Sequence, residues 1–296
     1  ITQSNVLESV KFESEAINLD ELDLSSYSIE NMQGELIPDN PLYVIYTSGS
    51  TGLPKGASVT IRNELNLLNW YIKEYSICPD DNVLVISAFG FDLTQKNLFA
   101  PLLVGATVVL PELDIYDPNI IRGLIARHEI TFMNSAPSAF YPLLDGVETY
   151  EELKTIRCLL FGGEPIRMRY LEPWVKGENC HCEIVNMYGP TECTDIAASY
   201  RIADPKKFIN EGVDAIIPIG KPNDNVQLYV LNSEQQLVPV GFIGELCIGG
   251  MGVGLGYLNN PQLTAEKFIP NPFGEGRIYR TGDLVRYQSD GNIEFV

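Results

Sequence analysis

The chain has 296 residues, 45% of them hydrophobic and 20% charged, the balance of a globular protein long enough to bury a substantial core as one large domain or two smaller ones. Its 20 lysines and arginines face 39 aspartates and glutamates, a formal charge of −19, and a field of that sign repels phosphate backbones and excludes nucleic acid as a general partner. No apolar run approaches the roughly 18 residues of a membrane helix, and the opening ITQSNVLESV lacks the basic stretch and apolar block of a secretory signal, so neither membrane nor export is expected.

Up to residue 40 the sequence is acidic and weakly periodic and reads as strand fragments and loop. From Leu42 to Ile196 short apolar runs alternate with helical patterns. Runs at 42–46, 83–87, 107–110, 130–134, 158–161 and 183–187 have strand length. Between them, Leu67, Leu68, Tyr71 and Ile72 carry a helical spacing that predicts a helix over 63–75; 118–128 repeats it, and 137–144 is a shorter helical segment. Strands alternating with helices predict an α/β fold, a layered, mainly parallel sheet with helices. Near Pro218 the character changes. Strand-like runs at 226–231, 237–240, 245–248, 278–279 and 292–296, separated by Gly, Asn and Pro, predict a β-rich subdomain that forms part of a barrel. The expected division is 1–217 for the α/β part and 218–296 for the β-rich part, the chain stopping inside a strand as if cut mid-domain.

Of the six cysteines, Cys158 and Cys247 lie in apolar runs and read as core. Cys180-His181-Cys182 is the one cluster that hints at a metal, and it lacks a second ligand pair at a structural-zinc spacing. This usage suits a reducing cytoplasm.

The densest chemistry is YTSGSTGLPKG, Tyr46 to Gly56, directly after the apolar run LYVI. Its glycines let successive backbone N–H groups face an anion, its hydroxyls add donors and Lys55 adds charge, which together suit a polyphosphate. Pro54 before Lys55 and the β-like ASVT that follows set it apart from a Walker loop. A flexible Gly/Ser turn is the other reading of the composition. A Ser-His-Asp hydrolase has no support: TSGSTG is not a G-x-S-x-G elbow, and nothing links His128 or His181 to a serine.

Taken whole, that string resembles the phosphate loop of the adenylate-forming superfamily, which includes acyl-CoA synthetases, firefly luciferases and the adenylation domains of nonribosomal peptide synthetases. Further stretches follow in the family's order. Asn186-Met187-Tyr188-Gly189-Pro190-Thr191-Glu192 is similar to its NxYGPTE segment, GELCIGG from Gly244 through to Gly256-Tyr257 resembles its next motif, and Tyr279-Arg280-Thr281-Gly282-Asp283 its Y-[RK]-TGD motif. Two departures stand out: Ile61 where many relatives have histidine, and GMGVGLGY in place of a more charged version.

The resemblance implies a truncated adenylate-forming fold that joins a carboxylate to the α-phosphate of ATP and expels pyrophosphate. Thr47, Ser48, Gly49, Ser50, Thr51, Gly52 and Lys55 would meet the phosphates. Gly163, Glu164, Asn186, Met187, Tyr188 and Gly189 would line the adenine site, and Asp283 would accept both ribose hydroxyls. Thr191 and Glu192 would be the catalytic pair, Thr191 as a donor to the α-phosphate and Glu192 as the ligand of Mg²⁺. In isolation Asp283 also reads as a turn cap and Glu192 as a helix N-terminal acid.

Phe91-Asp92 points to one branch. Peptide-synthetase adenylation domains carry Phe-Asp here, and the aspartate pairs with the substrate's α-ammonium group. Fatty- and aryl-acid activators have no ammonium to neutralise, and an unpaired buried carboxylate would be costly to them. A cap on the helix that begins at Leu93 is the second reading of Asp92. The family's pocket positions, carried over without gaps, fall on Asp92, Leu93, Lys96, Asn134, Leu160, Gly162, Met187, Asp195 and Ile196. A buried Lys96 needs an anion, supplied either by Asp195 or by the substrate, unless it points to solvent. The expected partners are an amino acid, a carrier-protein domain bearing phosphopantetheine and neighbouring synthetase domains. The family's earliest motifs would precede Ile1, and its lysine-bearing C-terminal subdomain would follow Val296. Alternatives are an acyl-CoA or aryl-acid ligase and a non-catalytic nucleotide-binding remnant.

Overall fold

The structure is a computed structural model that describes residues 2, 4, 7, 15–30, 34–48, 53–112, 116–212 and 215–296. The chain forms two compact units, Ile1–Leu36 and Ile37–Val296. In the first, the described residues include a bridge between Thr2 and Asn18 and a single 3-10 turn, Leu24–Ser26, whose N-cap Asp23 accepts from the Ser25 N–H at 2.9 Å.

The larger unit opens with an antiparallel pair, β1 (Pro41–Thr47) and β2 (Lys55–Thr60), and the helix α1 (Ile61–Glu74). There follow β3 (Asn82–Leu84), α2 (Asp92–Val104), β4 (Thr107–Val109), α3 (Pro118–Arg127), β5 (Phe132–Ser135) and a short α4 (Pro137–Phe140). Next come β6 (Cys158–Phe161), α5 (Met168–Lys176), β7 (Glu183–Tyr188), β8 (Ala198–Ile202), α6 (Pro205–Gly212) and β9 (Lys221–Pro222). The remainder is β10 (Val226–Leu231), β11 (Gly244–Gly250), β12 (Gly256–Tyr257), α7 (Pro261–Lys267), β13 (Phe268–Pro270), β14 (Arg277–Tyr287) and β15 (Ile293–Phe295).

One sheet runs β4-β3-β5-β6-β7-β8-β9, parallel as far as β7, with β8 and β9 added antiparallel. Its central strands are apolar on both sides because helices cover both faces. Alternation along each strand divides the residues between two cores: Met133, Leu159, Phe161 and Ile184 pack with Ile121, Phe140 and Trp174 on one face, while Phe132, Leu160 and Val185 pack with Leu67 and Tyr71 on the other. The helix ends follow local chemistry. Thr60 and Asn63 close a capping box on α1, Asp117 caps α3 with Pro118 in its first turn, and Gly105 ends α2 at φ 78°. The second sheet, β10-β11-β14-β13 with β15 on β14, is antiparallel, and with the small β1-β2-β12 sheet it builds the half-barrel that follows the α/β layers.

The expected layered α/β sheet with an appended partial barrel is the observed architecture. Local differences have local causes. The run at 237–240 forms no strand: Leu237 makes an isolated bridge to Leu231 and Val238 bonds Val230, but Pro239 has no N–H to continue the ladder. β14 extends far beyond 278–279 because a register shift opposite Glu245 and Cys247 absorbs Thr281-Gly282, the pair that reads as a turn in sequence. α5 and β8 carry no sequence expectation at all.

Candidate active site

Two adjoining cavities gather most of the expected residues. The larger, about 580 Å³, lies at the carboxyl end of β7 and is walled by Glu164, Asn186, Tyr188, Asp283 and, unforeseen from sequence, Phe295. Asp283 is aimed by the turn around it. Gly282, at φ 85°, donates its N–H to Glu245 Oε1 at 3.1 Å, and the Asp283 N–H donates to Thr281 Oγ1 at 3.0 Å. The Tyr188 hydroxyl then donates to Asp283 Oδ2 at 2.5 Å, and the Tyr188 ring meets Phe295 edge-on at 5.4 Å. Asn186 donates to the Pro218 carbonyl at 2.8 Å, and Glu164 accepts from the Ser138 N–H and hydroxyl at 3.1 and 2.8 Å.

The second cavity, about 380 Å³, shares Gly163, Met187, Gly189 and Pro190 with the first. Thr47, Ser48, Lys55, Thr191 and Glu192 line it on one side, and Asp92, Leu93, Lys96, Asn134, Gly162, Asp195 and Ile196 on the other. Leu160 lines neither cavity; its strand position turns it into the core beneath, beside Met187 and Ile196. Gly49, Ser50, Thr51 and Gly52 lie outside the described residues. Gly189 must be glycine for space: a Cβ there would stand 2.2 Å from the Asp195 carbonyl oxygen and 2.7 Å from the Ala197 nitrogen.

Glu192, 4% exposed in the short 3-10 turn Thr191–Cys193, is held by two donors. Lys55 Nζ lies 2.6 Å from its Oε1, the Tyr257 hydroxyl donates to the same oxygen at 2.6 Å, and Tyr257 meets the Tyr279 hydroxyl at 3.3 Å. Burial pushes the Glu192 carboxyl up, but the hydrogen bonds from Lys55 and Tyr257 outweigh it and hold the group below the usual range. The two tyrosines lie within the recognised motifs, yet nothing in their spacing shows that both hydroxyls converge on this carboxylate.

Asp92 is the first residue of α2, one position past the N-cap Phe91, and its carboxylate accepts from the Leu93 N–H at 2.8 Å while it lines the cavity. Lys96, one turn on, is 1% exposed; its ammonium donates to Asp195 Oδ2, bonds the Leu93 carbonyl at 3.3 Å and sits 5.6 Å from the centre of the Tyr71 ring. Lys96 is therefore answered inside the protein and does not reach solvent. Burial pushes the Asp195 carboxyl up to about 6, with Lys96 opposing and Asp92 adding to the rise. Asn134, 2% exposed, presents an Oδ1 that finds no hydrogen-bond partner among the described residues.

A parallel sheet with a half-barrel, and paired cavities at the sheet's carboxyl end, define an adenylate-forming fold. The chain belongs to the AMP-binding enzyme family, whose model matches residues 3–258. It is homologous to nonribosomal peptide synthetases. It is 41% identical over 303 aligned residues to gramicidin S synthase 2 of Aneurinibacillus migulanus, a match covering 100% of this chain and 6% of that protein. It is 42% identical over 261 residues to tyrocidine synthase 3 of Brevibacillus parabrevis, covering 88% of this chain and 4% of that one. The chain thus spans a small part of the length of these relatives. Among solved structures, the nonribosomal peptide synthetase FmoA3 superposes with a TM-score of 0.86 at 29% identity, over 99% of this chain and 31% of that one. Among the described residues no helix is long and apolar enough to cross a membrane.

Proposed function

We propose that the chain binds ATP and an α-amino acid and takes part in forming the aminoacyl-adenylate, for loading onto the phosphopantetheine thiol of a carrier-protein domain in a cytoplasmic peptide synthetase. The observation that carries this reading is the adjacency of the two cavities through Gly163, Met187 and Gly189, one walled by Tyr188 and Asp283, the other by Asp92 and Glu192. On this reading residues 1–217 hold the nucleotide and amino acid, and 218–296 supply Asp283 and the tyrosines on Glu192.

An amino-acid carboxylate oxygen attacks the α-phosphorus, the new P–O bond forms as the bond to pyrophosphate breaks, and pyrophosphate leaves. Two anions must meet, so the protein's task is to place them. Asp283 takes the ribose hydroxyls and Asn186 and Tyr188 the adenine. Thr191 donates to the α-phosphate, and Thr47, whose buried hydroxyl has no partner among the described residues, has a donor left for a phosphate oxygen. Glu192, an ionised carboxylate beside Thr191 and Lys55, suits a hard divalent cation and would hold Mg²⁺, which supplies charge neutralisation on the phosphates. Asp92 receives the α-ammonium. Because Asp195 answers Lys96, the side-chain pocket is balanced in charge, and the reading favours a polar, uncharged side chain.

ATP–pyrophosphate exchange by the full-length protein, with each amino acid in turn, tests this. Exchange with a polar amino acid is expected. Exchange with aryl or fatty acids and with no amino acid would replace the reading with an acyl-acid ligase.

A further inference from the structure

α1 carries an acid with no role in the reading above. Glu64 lies in its first turn, 3% exposed, and Oε1 has no hydrogen-bond partner among the described residues; the same holds for the hydroxyl of Tyr43 on β1. A buried carboxyl without partners is costly unless it keeps its proton or gains an occupant. Glu64, Leu67, Leu68 and Tyr71 share one helix face by their spacing, and Tyr71 sets its ring under Lys96. Glu64 is also close enough to Asp195, Lys96 and Asp92 for their charges to act on it. Leu67, Leu68 and Tyr71 share a core with Met187 and Ile196, two residues that line the cavity, so this face of α1 packs behind it.

We propose that Glu64 is a specificity-determining residue, an acid behind the Lys96–Asp195 pair whose protonation state sets the charge of the pocket's inner wall and so chooses between neutral and cationic side chains. The inference rests on the adenylation reading. With Asp92 answered by the substrate's ammonium and Lys96 by Asp195, the charge left over is that of Glu64. Protonated, it leaves a neutral wall with the Asn134 Oδ1 acceptor, suited to an amide or hydroxyl. Ionised, it adds one negative charge, suited to an ammonium of similar reach. Burial, then Asp195, push its carboxyl up to about 7, Lys96 opposing and Asp92 adding. The groups that face it are Tyr43 from β1, Asp92 and Lys96 from α2, and Asp195 from the loop after β7.

The test is exchange by the full-length protein between pH 6 and 9, with the length-matched pairs asparagine against 2,4-diaminobutyrate and glutamine against ornithine. The ratio of kcat/KM, cationic over neutral, is expected to rise about tenfold across the range, the worth of one favourable charge interaction. Glu64→Gln should flatten that rise with the KM for ATP unchanged, and Glu64→Asp should restore it. A flat ratio in the unmutated protein, or an undiminished rise in Glu64→Gln, overturns the inference and leaves adenylation standing. No exchange with any amino acid overturns both.

Discussion

Lys96 on α2 and Asp195 in the loop after β7 form a buried ion pair across 99 positions of sequence. The loop that delivers Asp195 is unusual: Thr194 and Asp195 have φ of 62° and 64°, a left-handed conformation rare for such side chains in succession. It is held there from outside. The Thr194 hydroxyl donates to the Gly252 carbonyl at 2.7 Å, Asn223 Nδ2 to the Ile196 carbonyl at 2.8 Å, and the Ala197 N–H to the Tyr188 carbonyl at 2.8 Å.

Lys96→Ala leaves Asp195 buried without its counter-charge, and a destabilisation of about 3–5 kcal/mol is expected from the denaturant midpoint at neutral pH. Exchange should broaden toward apolar amino acids while the KM for ATP holds. If the unmutated protein already prefers Leu, Val or Phe, the assignment of Lys96 to the side-chain pocket is wrong.

Asp92→Ala should abolish most exchange with the preferred α-amino acid. A des-amino or α-hydroxy analogue should lose much less, because it has no ammonium to place. Comparing mutant with unmutated protein on both substrates separates this role from a structural one; equal losses would make Asp92 a helix-terminal acid and nothing more.

Asp283→Ala should weaken ATP binding by about 1.5–3 kcal/mol, the range of a charge-assisted hydrogen bond, with the order of amino-acid preference unchanged. Tyr188→Phe should have a smaller effect, since it removes one donor to Asp283. Deoxyribose analogues of ATP report on the contact directly: binding as tight as that of ATP would exclude the ribose role.

Asp81 offers a test of the fold remote from the cavities. It accepts from Arg157 Nη2 at 2.7 Å, the Thr131 hydroxyl at 2.6 Å and the Cys78 N–H at 3.0 Å. Burial pushes its carboxyl up, and the Arg157 and Thr131 bonds more than offset this, so the folded value lies below the ordinary one. Its stabilisation is therefore present above the ordinary aspartate range and lost as pH falls through the lowered value. Asp81→Asn should cost about 2–3 kcal/mol at pH 7, the gap narrowing below about pH 4. Thermal midpoints at the two pH values decide it; a constant difference would rule out the ionised form as the source.

The α/β layering was legible because both faces of the central strands are covered, which makes the run at 158–161 apolar throughout. Helix α1 was legible from Leu67, Leu68 and Tyr71, but it starts at Ile61, ahead of the expected 63, where Thr60 and Asn63 close its capping box. The motif residues are local strings with local reasons: Gly282 for a left-handed turn, Gly189 for a close approach. The strand at 237–240 failed because apolar content says nothing about the N–H that Pro239 lacks.

The sequence by itself determined the layered α/β class with its β-rich continuation, the family resemblance and the identities of Asp92, Glu192 and Asp283 as candidates. Only the tertiary structure decided what each one touches. Leu160 and Asn134 are paired on neighbouring strands and point to the same face of the sheet, yet only Asn134 lines the cavity, while Leu160 lies in the core with Met187 and Ile196. Whether Lys96 met Asp195 or a substrate, and whether Tyr257 and Tyr279 reached Glu192, depended on loops and on a second sheet far away in sequence. Electrostatic energy falls with distance in space, and distance along the chain does not encode it.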